Sequence, residues 1–413
     1  MMRGLDRWLA VICTARVLLY GNFMVYAACI PVVRVEWQIS AAEAGSIASG
    51  FMLGYAVSLV IFSWLADRLG ARRMVLWSGW LSAAAALAFG LFASSYRSAL
   101  LLYTLAALGQ GGTYTPIIML FADRYEPARR GAAVGWLIGS TSVGYAFSLV
   151  LSGAALAWGG YRAAFVVTGV MPLFGALLLS WALRGTPNVI HARSPGLRLR
   201  TLLTTRGNAF RLIAGYTAHC WELLGMWAWI PAFLAASASL SGAAPAAAAG
   251  FGAYLSAAMH LVGAVAASTM GGLSDHLGRR VVLLMLAGAS ACLSLAIGWL
   301  ILWPLYLLLP LALLYSFTTI GDSPVLSVAI TEVVEPGHLG AVLALRALLG
   351  FGAGAISPLA FGAVLDLTGD SAPSTTWGLA FVTLGLGGVL ATACAWSVRP
   401  AAPPAVPVEG GEP

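Results

Sequence analysis

The sequence predicts an all-α membrane protein with twelve transmembrane helices in two six-helix bundles, and three observations predict it. The first is composition: of 413 residues, 60% are hydrophobic and only 9% charged, with a mean hydropathy of +0.88. A soluble domain carries about 25% charged residues. The second is a series of apolar runs of roughly 20 residues, each enough to cross about 30 Å of hydrocarbon. The third is a segment that occurs twice. Ser63-Trp64-Leu65-Ala66-Asp67-Arg68-Leu69-Gly70-Ala71-Arg72-Arg73 and Gly271-Gly272-Leu273-Ser274-Asp275-His276-Leu277-Gly278-Arg279-Arg280 each close one apolar run and precede another, so the chain reads as a duplication.

The runs, numbered spans 1 to 12, lie at about 8–30, 44–65, 74–94, 98–121, 131–156, 163–183, 209–236, 247–272, 281–301, 304–330, 340–366 and 376–398. Span 1 is aromatic-rich and lacks a small-residue cleavage site, so it reads as a retained helix and not a signal peptide. Spans 2 and 3, and again 8 and 9, flank the two Asp-x-x-Gly segments. Span 4 ends in Asp123-Arg124-Tyr125-Glu126-Pro127 and span 10 in Glu332-Val333-Val334-Glu335-Pro336, at about the same offset from the preceding repeat. After span 6 comes the longest polar stretch, with Pro187, Pro195 and several arginines. It divides an N-terminal bundle (1–184) from a C-terminal bundle (209–398) through a linker (185–208). Residues 399–413, rich in proline, read as a disordered tail.

Every basic side chain other than histidine is arginine. With both termini placed in the cytoplasm, seventeen arginines fall on that side and Arg34, Arg97 and Arg162 outside, the bias expected of an inner-membrane protein. That bias, with anionic lipid headgroups, accounts for the net charge of +7 without a nucleic-acid partner. The five cysteines lie singly within spans and read as packing residues. No phosphate loop, metal-ligand cluster or nucleophile triad is present, so neither an enzyme nor a cofactor is expected. The expected partners are a small-molecule solute and the bilayer, and the expected state is a monomer.

Two six-helix bundles in parallel orientation, each with Asp-x-x-Gly and arginines after its second helix, resemble the major facilitator superfamily over nearly the whole chain. Gly271 to Arg280 meets the family pattern almost fully; the first copy departs from it at Ser63 and Ala71. Gly70 and Gly278 permit the tight turn after Asp67 and Asp275, and nearby arginines, Arg68 among them, reach a neighbouring helix end. The resemblance implies that Arg72 meets Asp123 or Glu126, and that Arg279 or Arg280 meets Glu332 or Glu335. Such pairs would hold the cytoplasmic side shut in one conformation; alternatively, these charges only set topology and cap helices. Glycines four apart at 50 and 54, at 131, 135 and 139, and at 350 and 354 suit either a sliding interface between halves or static packing. The resemblance implies that spans 1, 4, 7 and 10 line a central cavity.

Ionisable residues inside spans cost about 2.5–3.5 kcal/mol each and need a partner, a cavity or a task. Arg16 has no buried acid in its own half: it either faces the cavity as the partner of an oxyanion or snorkels to headgroups. Asp322 and Arg346 lie at similar depth on successive spans, as a structural ion pair or beside a helix broken by Pro324. His219 and Glu222 lie one turn apart on span 7, as a proton site or a mutually satisfied polar pair. His260 is a weaker member of this set. Tyr20, Asn22, Gln110, Tyr114, Trp221 and Tyr315 complete the candidate cavity lining. Ala107 stands where many proton antiporters of the family carry arginine, span 5 lacks proline, and spans 2 and 8 lack mid-span arginine. Drug antiport and nitrate transport both lose ground on these departures.

The reading is a secondary transporter working by alternating access on a small organic anion, held by Arg16 and Arg346, with His219, Glu222 and Asp322 as candidates for proton coupling. An exporter of hydrophobic compounds and a transporter-like membrane sensor are the alternatives.

Overall fold

The computed structural model describes residues 6–190, 207–334 and 336–398. The tail 399–413, Glu335 and most of the expected linker therefore lie outside the described residues. All regular structure among the described residues is helical. Span 1 comprises Arg7–Leu19 and Val25–Glu36, span 2 Ala41–Leu69, span 3 Ala71–Phe92, and span 4 Tyr96–Gln110 and Thr115–Arg124. Spans 5 and 6 share Pro127–Ala182; spans 7 to 12 are Asn208–Leu240, Pro245–Leu277, Arg279–Ile297, Leu305–Val333, Pro336–Leu367 and Pro373–Ser397.

Among the described residues nine helices are long and apolar enough to cross a membrane. Twelve crossings result because Pro127–Ala182 is two spans parted at Gly160, whose φ of 63° is a glycine conformation, and because spans 1 and 4 are each two shorter helices. The large apolar side chains exposed on the outside, Trp64, Leu101 and Leu386 among them, are what a lipid-facing surface requires.

The breaks in spans 1 and 4 are the features that position the site. In span 4, Pro116 has no N–H to give and its ring crowds the carbonyl of Gly112, so the helix is replaced by one tight turn at Gly111–Thr113. The freed groups are recovered by neighbours: Ser58 donates to the Leu108 carbonyl (2.6 Å) and accepts from the Gly111 N–H (2.8 Å), and Ser78 donates to the Gly109 carbonyl (2.5 Å). In span 1 the break at residues 20–24 contains Gly21 and Asn22, both poor helix formers. Tyr103 donates to the Phe23 carbonyl there at 2.5 Å. By contrast, span 10 runs unbroken through Pro310 and Pro324, so the broken helix, one of the two alternatives beside Asp322, is not formed.

At the arginine-rich side, Gly70 (φ 88°) makes the turn between spans 2 and 3, and Asn188 clamps it by donating to the Leu69 carbonyl (2.8 Å) and accepting from the Arg73 N–H (3.1 Å). Asp6 caps span 1 at Leu9 N–H (2.9 Å) and accepts from the Tyr125 hydroxyl (2.8 Å). Burial pushes the Asp6 carboxyl up, but these two hydrogen bonds and Arg124 and Arg129 nearby hold it below the ordinary carboxylate value.

The two groups of six spans meet chiefly on the side away from the arginine-rich turns. Span 2 packs on span 11, where Gly45 abuts the Pro358 carbonyl and Gly362 the Ala41 carbonyl. Asp366 there accepts from the Ala41 and Ala42 N–H groups, both at 2.7 Å, across the halves. Span 5 packs on span 8 through Gly153 against Ala253 and Tyr254. Toward the arginine-rich side a β-carbon on Gly131, Gly135 or Gly139 would meet nothing within 4 Å. The molecule is thus shut on one side and parted on the other. Gly50 and Gly54 pack on Thr104, and Gly350 and Gly354 on span 7, each within its own half. The four-residue glycine spacing therefore does not mark the interface; Gly45, Gly153 and Gly362 do.

Candidate functional site

Arg16 sits among spans 1, 4 and 5 of the N-terminal half, 1% exposed. Its Nε donates to Thr141 of span 5 (2.9 Å), its Nη2 to the Tyr20 hydroxyl (3.0 Å), and its Nη1 to the Thr113 carbonyl freed by the break in span 4. Tyr20 and Tyr55 share a hydrogen bond of 2.8 Å. The guanidinium lies 4.5 Å from the Tyr20 ring centre and 5.2 Å from that of Tyr114. No carboxylate among the described residues comes within ion-pairing distance of Arg16. Charge-assisted hydrogen bonds to neutral acceptors, at about 1.5–3 kcal/mol each, and ring contacts of about 0.5–2 kcal/mol offset the desolvation and fix the side chain. They leave its charge unneutralised. Snorkelling to headgroups is not what the side chain does.

Arg346 is the second buried cation without a carboxylate partner among the described residues, 8% exposed. It donates to Ser327 (2.8 Å) and stacks 3.8 Å from the Tyr216 ring centre. The expected ion pair with Asp322 is absent, because equal depth does not fix rotation about the helix. Asp322 turns instead to span 7, where its Oδ1 stands 2.8 Å from His219 Nδ1, a short contact off the N–H direction. The other ring nitrogen, Nε2, shares a 2.7 Å hydrogen bond with Ser323.

His219 and Glu222 do not form one site. Glu222 accepts from Ser290 of span 9 (2.7 Å), which shares a further 2.7 Å bond with Thr319 of span 10. It faces the interior of the C-terminal half. Two expected cavity residues point the same way: Trp221 donates to the Thr383 carbonyl of span 12 (2.8 Å), and Tyr315 shares a 2.9 Å bond with Ser294 of span 9. Both are corrections to the lining, for position on span 7 or 10 does not settle which face a side chain occupies. Asn22 and Gln110 do come together, Gln110 donating to Asn22 at 3.0 Å between the two helix breaks.

Sequence reasoning missed Tyr55, Thr141 and Tyr145. Tyr145, Trp227 and His260 form a cluster with ring centres 5.2–5.3 Å apart that joins spans 5, 7 and 8. Thr141 and Tyr145 stand four apart, hence on one face of span 5, and that was the available signal.

At the turns, Arg279 pairs with Glu332 at 2.8 Å and with Asp275 at 2.5 Å. Both partners belong to the C-terminal half, so the pair binds spans 8, 9 and 10 to one another and does not bridge the halves. Arg280 turns to span 12, donating to the Trp396 carbonyl (2.8 Å). Arg72 donates to the Leu183 carbonyl at 2.8 Å. Arg68 lies over Trp64, 3.4 Å from the ring centre. Asp67, Asp123 and Glu126 are exposed, and Gly278 repeats the conformation of Gly70 with φ 87°.

Twelve crossings in two groups of six, with a duplicated turn motif, are the architecture of a membrane transporter. Residues 12–331 match the Major Facilitator Superfamily profile, and the chain belongs to that family. Among curated relatives it is 23% identical over 390 residues to the probable sulfoacetate transporter SauU of Cupriavidus necator, covering 88% of this chain and 87% of that one. It is 34% identical over 136 residues to the gentisate transporter of Corynebacterium glutamicum, covering 32% and 30%. Its fold resembles an inward-facing, unoccupied bacterial homologue of the human lysosomal transporter Spinster, with TM-score 0.71 and 17% identity over 96% of this chain and 98% of that one. The nucleoside transporter NupG is similar too, with TM-score 0.76 and 13% identity over 95% and 99%.

Proposed function

We propose that the chain is a secondary active transporter that carries a small organic anion, a carboxylate, across the bacterial inner membrane by alternating access. One observation carries this reading: Arg16 is buried beside two helix breaks, held rigid by neutral groups, and has no carboxylate partner among the described residues. An anionic solute supplies the missing charge. The relatives named for sulfoacetate and gentisate transport support the class of solute. In this reading the termini and the Asp-x-x-Gly turns lie in the cytoplasm, which the arginine asymmetry supports, and the parted side faces inward. The bodies that rock are residues 1–184 and 209–398, monomeric in this reading.

His219 and Asp322, in contact across spans 7 and 10, are the proton site of this reading. Glu222 hydrogen-bonds Ser290 rather than either of them. Purified protein in proteoliposomes should take up labelled carboxylate, faster with an inward proton gradient, and Arg16→Ala should abolish uptake while still inserting and folding. Unchanged uptake in that variant sinks the assignment.

A further inference from the structure

We propose that the solute is a dianion, and that Arg16 and Arg346 grip its two anionic groups from opposite halves; this rests on the anion reading above. Arg16 belongs to span 1 and Arg346 to span 11, and each is at least nine-tenths buried without a carboxylate among the described residues.

They look onto one region. The Tyr114 hydroxyl lies within electrostatic reach of both guanidiniums, and Arg16 lies against the Tyr114 ring. Span 11 also borders the Arg16 cluster: Arg16 donates to Tyr20, Tyr20 bonds Tyr55, and the Tyr55 ring lies 6.0 Å from Phe351 of span 11. Arg346 stands five residues before Phe351, about 7.5 Å along the helix axis and about 140° around it, so this contact places span 11 beside the cluster and does not itself aim Arg346. Only three of the five N–H donors of Arg16 are used, by Thr141, Thr113 and Tyr20, and Arg346 uses one on Ser327. Both therefore retain donors for a bidentate contact with an oxyanion.

Two like charges facing one low-dielectric gap oppose its closure. A solute with one anionic group relieves one of them. A solute with two, separated by a short carbon body, relieves both and holds span 1 to span 11, so its binding favours the state in which the halves approach.

The test is binding of matched pairs, adipate against hexanoate and terephthalate against benzoate, to the purified full chain by calorimetry. The wild type should bind each dicarboxylate about tenfold or more tightly than its monocarboxylate partner. Arg346→Gln should weaken dicarboxylates about tenfold more than monocarboxylates and so bring that preference close to one, and Arg346→Lys, which keeps the charge but not the fork of donors, should retain more of the preference than Arg346→Gln. Monocarboxylates binding as tightly as dicarboxylates overturns the dianion clamp and leaves the anion reading standing. Equal weakening of both classes in Arg346→Gln, or equal loss in Arg346→Gln and Arg346→Lys, also overturns it, with Arg346 then a support for Tyr216 and Ser327. Binding of neither class to the wild type removes the anion reading as well.

Discussion

Asp366 sits at the end of span 11 away from the arginine-rich turns and accepts two backbone N–H groups from the start of span 2, Ala41 and Ala42, both at 2.7 Å. These bonds cross from one half to the other and exist only while that side is shut. A carboxylate at a helix N-terminus gains about 0.3–1 kcal/mol from the dipole, and each bond contributes about 0.5–1.5 kcal/mol net. Asp366 is exposed, so water competes for both bonds. Asp366→Asn keeps one acceptor and removes the charge and the second bond, a loss of about 1–2 kcal/mol, or about 5- to 30-fold in the ratio of shut to open at that side. The assay is spin-label distance measurement between Val35 and Asp370, both exposed at that end, in a background with the exposed Cys292 replaced. The variant should gain a longer-distance population. Glu43→Gln, which also removes a negative charge near that end but alters only the local cap of span 2, is the control and should not gain it. A distance distribution in Asp366→Asn indistinguishable from wild type would refute the reasoning.

Further consequences follow from the same geometry. Asp322→Asn should abolish stimulation of uptake by a proton gradient while solute exchange continues, and uptake that still follows the gradient would exclude the His219 contact as the proton site. Glu222→Gln keeps an acceptor for Ser290 and should leave that coupling intact; its loss would return Glu222 to the mechanism. Gly70→Ala places a β-carbon at φ 88° against Asn188 and should destabilise the protein by about 1–3 kcal/mol, read as a fall in melting temperature. Arg279→Gln, by contrast, removes an ion pair whose acidic partners are half exposed and should cost no more than about 1 kcal/mol.

The fold was legible because hydrocarbon thickness and hydropathy set span length, and because duplication left its mark at Gly70 and Gly278. Rotation of each span about its axis was not. Asp322 and Arg346 match in depth yet face different neighbours, and His219 and Glu222, one turn apart, divide between span 10 and span 9. Trp221 and Tyr315 went astray for the same reason: a polar or aromatic side chain on a cavity-lining helix satisfies itself equally well against a neighbour in its own half. Pro116 breaks span 4 whereas Pro324 leaves span 10 straight; the difference lies with Gly109, Gly111 and Gly112, beside which Ser58 and Ser78 supply the lost hydrogen bonds. Arg16 was legible as a site because a cation in a half without a buried acid stands out from composition alone.

The most direct test of the central claim is thermal stabilisation of the purified protein by a panel of mono- and dicarboxylates, inorganic oxyanions, sugars and lipophilic cations, since a ligand bound to the native state alone raises its apparent stability. Stabilisation by carboxylates that vanishes in Arg16→Ala is the predicted result. Stabilisation by lipophilic cations alone, unchanged in Arg16→Ala, would contradict it.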